Sequence, residues 1–126
     1  PFAFCFQAAT EGRITLHSSG EQLRNWVELS HLCDCILKQS TGQGPICLHV
    51  SGYDMSILEL AQSVARSWQK QFGTKVEIVV PEYVLELKEP QRKFRSIYGN
   101  TGERPNFEAF VSSVGVHLFK SRKKLL

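Results

Sequence analysis

Ser56-Ile57-Leu58-Glu59 opens the stretch that decides the fold. A serine followed three residues later by a glutamate is a capping box, in which each side chain satisfies an orphan backbone N–H at a helix start. Behind it Ile57, Leu60, Ala61, Val64, Ala65, Trp68 and Phe72 recur at helical spacing and Gly73 supplies a stop, so the pattern predicts a helix over 57–72. Core packing is the plain reading of Trp68. Val76, Ile78 and Val80 then predict a strand that Pro81 ends.

Toward the N-terminus the same alternation continues. Ile46, Leu48 and Val50 predict a buried strand, preceded by a helix that Ser30 can cap and that carries Leu32, Cys33, Ile36 and Leu37 on one stripe. From Leu23 a strand places Asn25, Val27 and Leu29 on one face and Arg24, Trp26 and Glu28 on the other. Ile14 and Leu16 alternate with Arg13, Thr15 and His17 as a half-buried strand closed by Ser18-Ser19-Gly20. Residues 2–11 are apolar and rich in alanine, and Gly12 stands where a helix would stop.

Toward the C-terminus, 83–87 is compatible with one more strand and 88–106 is polar and irregular, with a short helix expected near 91–97. Asn106 can cap a last helix bearing Phe107, Phe110, Val111, Val114 and Leu118, after which the basic tail 120–126 should fray. These elements make the fold class α/β, or α+β for an isolated fragment, with a small mixed sheet and about four helices.

Length and composition set the outer bounds. The 126 residues, 42% hydrophobic and 21% charged, suit one globular domain spanning 1–126 and exclude disordered, collagen-like and coiled-coil chains. The longest apolar runs fall far short of a membrane span. Fifteen basic against twelve acidic residues give +3, but the surplus is concentrated in Lys120, Arg122, Lys123 and Lys124. A terminal cluster without interleaved aromatics argues against a nucleic-acid groove. The start Pro1-Phe2-Ala3-Phe4 lacks both an initiator Met and the features of a signal peptide, which suggests a fragment or processed product and a cytoplasmic location.

Four cysteines, Cys5, Cys33, Cys35 and Cys47, are too sparse for a disulfide scaffold, so reduced thiols are expected. His31-x-Cys33-x-Cys35 and Cys47-x-His49 look ligand-rich by count. On a helix, however, Cys33 and Cys35 point about 200° apart, and no pair of cysteines has the two-to-four-residue separation of a zinc motif. No metal is expected. Thr101-Gly102-Glu103-Arg104-Pro105 matches a zinc-finger linker, but no finger flanks it. Glycine-rich phosphate loops, a nucleophile elbow and Tyr-x-x-x-Lys are all absent, and the nearest acid-base candidates, His31, His49 and Asp34, have no assignable partners. No catalytic residue is expected.

The order of elements carries the most information. A helix ending Ala9-x-x-Gly12, the strand Arg13-Ile14-Thr15-Leu16-His17, the turn and strand Gly20-Glu21-Gln22-Leu23-Arg24, a short helix, Gly44-Pro45-Ile46 to Gly52, and Ser56-Ile57-Leu58-Glu59-Leu60 follow one another. This succession resembles the C-terminal part of an extended short-chain dehydrogenase/reductase, the NAD-dependent epimerase/dehydratase family that acts on nucleotide-linked sugars. The resemblance covers residues 3–80 best. It extends loosely to the stretch from Pro90-Gln91-Arg92-Lys93 to Arg104-Pro105.

The resemblance implies that Arg24 grips the diphosphate of a nucleotide sugar, a suitable task for a planar donor fork. Gly20 falls on the family's turn glycine and Trp26 stands beside Arg24 on the strand. NAD or NADP would bind the full-length protein, through an N-terminal nucleotide-binding part that also carries the catalytic Tyr and Lys, and no cofactor would bind this chain. Ser30 and His31 stand where the family commonly has paired aspartates, and His49 where it has asparagine. The second family arginine, expected near residues 80–82, is absent. These departures allow an alternative, a non-catalytic protein-interaction module on the same scaffold. A fragment of this kind would leave the strand 46–50 with an open edge, which invites a partner or homo-oligomerisation.

Overall fold

The computed structural model describes residues 1–39, 50–82 and 106–122. Along the chain lie α1 (Phe2–Glu11), β1 (Arg13–Thr15), β2 (Leu23–Trp26), α2 (Leu29–Gln39), β3 (Tyr53–Ser56), α3 (Ile57–Phe72), β4 (Glu77–Val79) and α4 (Phe107–Arg122). The chain is mixed α/β, with four helices among the described residues. Among the described residues the strands form two two-stranded sheets, β1 with β4 and β2 with β3, where one small mixed sheet was expected. Two compact units result, one comprising residues 1–22, 56–82 and 106–122, the other 23–39 and 50–55.

The first unit is built on local signals that act as the sequence predicts. Ser56 Oγ accepts from the Glu59 N–H at 3.1 Å and Glu59 Oε2 accepts from the Ser56 N–H at 2.8 Å, so both halves of the capping box are made. Gly12 and Gly73 close α1 and α3 in the left-handed conformation, each at φ 69°. Asn106 Oδ1 accepts from the Ala109 N–H at 3.1 Å and caps α4.

Of these helices α1 and α3 pack against a parallel pair of strands, and α4 packs on α1 and α3. β1 and β4 align Arg13 with Glu77, Ile14 with Ile78 and Thr15 with Val79. Parallel strands need a crossover, and α3 leads into β4 to provide it. Leu16 N–H donates to the Val79 carbonyl at 2.9 Å and extends the ladder. Ile14, Val64 and Val111 are fully buried with Trp68 in the resulting core, which also takes Cys5 and Ala8 from α1. The Trp68 and Phe72 rings lie 4.5 Å apart between centroids at 47°, a tilted aromatic contact.

In the second unit one side chain makes two links. Asn25 Nδ2 donates to Asp54 Oδ1 at 2.7 Å, and Asn25 Oδ1 accepts from the Gly52 N–H at 2.8 Å. Asn25 thus joins β2 to β3, the one strand that the sequence pattern did not anticipate. Trp26 Nε1 donates to the Met55 carbonyl at 3.4 Å. Gly52 is buried so closely against the backbone of Trp26 and Val27 that a Cβ would overlap it.

Three expectations about helices are corrected. Ser30 lies inside α2 and is not its cap, because the Leu32 N–H is already taken by the Glu28 carbonyl at 3.0 Å. Most of the α2 stripe is exposed, Cys33 with Ile36 and Leu37 at 51% and 66%, while Leu32 is half-buried. At the other end, α4 runs through Arg122, so Lys120 and Arg122 belong to a helix and not to a frayed tail. The expected strand at 46–50 (except Val50), the possible strand at 83–87, the helix near 91–97, the Thr101–Pro105 match, Cys47, His49, Lys123 and Lys124 lie outside the described residues.

Candidate functional site

Arg24 extends from β2 into solvent. Among the described residues its guanidinium makes one hydrogen bond, from Nη1 to the Leu23 carbonyl at 3.3 Å, and it joins no ion pair. The ordinary surface salt bridge is therefore not what occupies it there. Trp26, two residues on and on the same strand face, is half-buried and committed through its indole N–H to β3. The strand that carries both is fixed by Asn25, which points to the other side and ties down Asp54 and Gly52. Arg24 is thus an exposed cationic fork on an anchored backbone.

Gly20 belongs to the first unit, apart from Arg24 and Trp26 in the second. Its φ of 75° requires glycine, and the space a Cβ would fill is taken by Leu16 Cδ1 and Leu58 Cβ, each 2.9 Å away. Its carbonyl accepts from the Leu58 N–H at 2.9 Å. The residue is buried and serves the packing of its turn. Leu16 and Leu58 fill the space on that side of the backbone.

On α2 the structure joins two residues that the sequence analysis did not pair. Cys35 Sγ lies 3.6 Å from His31 Nε2, one helical turn away. The cysteines Cys33 and Cys35 diverge around the helix, as expected. The useful signal was the separation of four residues between His31 and Cys35, which places both on one face. Asp34 is exposed on the same helix. Among the described residues no group of three or more His, Cys, Asp or Glu gathers to hold a metal.

Cys5 has a different environment. It is fully buried in the first unit, and desolvation pushes its thiol up to about 11 from the ordinary 9.0. A thiol held neutral in an apolar core behaves as a small hydrophobe and not as a nucleophile.

Fold and site together define a mixed α/β chain with a solvent-facing arginine on a fixed strand. No helix among the described residues is long and apolar enough to cross a membrane. Comparisons with models of protein families, with curated proteins and with solved structures found no match to this chain.

Proposed function

We propose that the chain is the C-terminal substrate-binding part of an NAD(P)-dependent enzyme acting on nucleotide-linked sugars, with Arg24 as its contact to the diphosphate. The observation that carries this reading is the state of Arg24: an exposed guanidinium without a carboxylate partner among the described residues, on a strand whose neighbours are locked. Paired anionic oxygens match such a fork in both charge and geometry. Trp26 stiffens the strand beside it, and Gly20 shapes the preceding turn. NAD or NADP would bind an N-terminal nucleotide-binding part, so this chain alone would bind substrate without turning it over, and a cytoplasmic setting fits that chemistry.

Calorimetric titration of the chain, and of its full-length parent, with a panel of nucleotide diphosphate sugars tests the reading. Saturable binding is expected, lost in Arg24→Ala and weakened nearly as much in Arg24→Lys, because an ammonium keeps the charge without the bidentate geometry. Equal affinity of wild type and Arg24→Lys, or no binding by either protein, overturns it.

A second reading is favoured by α2. Leu29, Ile36 and Leu37 are 72%, 51% and 66% exposed on that helix, and clustered exposed apolar side chains are a mark of interaction surfaces. A non-catalytic protein-interaction module would use this face in place of Arg24. Failure of every nucleotide sugar to bind the parent would favour it.

A further inference from the structure

We propose that His31 and Cys35 form a two-point seat for a zinc-class divalent ion on α2. Positions four apart lie one above the other along a helix, so the backbone brings the imidazole and the thiol together without any loop. The separation of Nε2 and Sγ is 3.6 Å. Zinc holds nitrogen at about 2.1 Å and thiolate sulfur at about 2.3 Å, and two such donors at a tetrahedral angle are about 3.6 Å apart. The two atoms therefore stand at the bite distance of one ion.

The donor chemistry selects the class of ion. Imidazole and thiolate suit zinc and its late first-row neighbours, whereas magnesium and calcium demand oxygen. Both side chains are half-buried, so little further desolvation accompanies binding, and Cys35 gives up its proton to solvent as the sulfur ligates. No third ligand joins them among the described residues, and water completes the shell. Cys33, two residues from Cys35, points away from this face and takes no part. The inference is independent of Arg24 and of nucleotide-sugar binding.

A thiol–imidazole hydrogen bond would give the same contact, and cobalt distinguishes the two. The full chain, kept reduced by a phosphine, is titrated with Co²⁺ near neutral pH while the near-ultraviolet sulfur-to-cobalt charge-transfer band is followed. Wild type, Cys33→Ser and Cys47→Ser should develop the band, Cys35→Ser should not, and His31→Ala should bind at least about tenfold more weakly. Zn²⁺ should bleach the band by displacement. Circular dichroism checks that each variant keeps its helices. Absence of the band in wild type, its survival in Cys35→Ser, or unchanged affinity in His31→Ala would overturn the assignment.

Discussion

Gly52→Ala should destabilise the second unit through the backbone, with no side chain able to yield. A Cβ at residue 52 would overlap the Trp26 carbonyl oxygen and stand 2.7 Å from its carbon and 2.8 Å from Val27 Cα. Overpacking of this kind costs about 1–3 kcal/mol. The displacement also endangers the hydrogen bond from the Gly52 N–H to Asn25, whose loss adds about 1 kcal/mol. Against this, alanine restricts the unfolded chain and returns about 0.4–1 kcal/mol. The steric term wins, leaving a net loss of about 1–3.6 kcal/mol.

Urea unfolding at unchanged m-value measures that loss. The two tryptophans locate it, because Trp26 belongs to the second unit and Trp68 to the first. The Trp26 indole resonance should shift in Gly52→Ala while that of Trp68 stays in place. Gly12→Asn is the control: nothing lies within 4 Å of its added Cβ, and asparagine tolerates the left-handed φ of 69°. It should cost only a few tenths of a kcal/mol. A Gly52→Ala protein within about 0.5 kcal/mol of wild type would refute the packing argument for β2 and β3.

Ser56→Ala should cost about 1 kcal/mol by orphaning the Glu59 N–H, whereas Ser56→Asp restores an acceptor and should recover most of it, as melting temperatures would record. The Cys5 thiol predicts a pH dependence of stability. Its folded value is raised, so its contribution is intact below pH 9.0 and falls as the pH climbs toward about 11, by up to about 1.4 kcal/mol per unit. Urea midpoints across that window should decline more steeply in wild type than in Cys5→Ala, and parallel slopes would contradict the burial argument.

Much of the first unit could be read along the chain because its signals are local. The box at Ser56 and Glu59, the apolar period through Trp68 and the terminal glycines each act within a turn or two, where neighbouring residues decide the conformation. Arg24 was legible as a side chain sharing a face with Trp26, since strand alternation needs no partner. The contact between His31 and Cys35 was legible in principle, since a separation of four residues places both on one helix face.

What the sequence by itself determined is therefore the four described helices, the strands β1, β2 and β4, and the alternation of faces along them. Only the tertiary structure decided that β1 pairs in parallel with β4, at a sequence separation of 64 between Arg13 and Glu77. It also decided that Tyr53–Ser56 becomes a strand, that Ile36 and Leu37 of α2 stay exposed, and that Gly20 and Gly52 are glycines for want of space. The physical reason is common to all of these. Pairing, exposure and close approach are properties of two surfaces brought together, and a periodic pattern specifies only one of them.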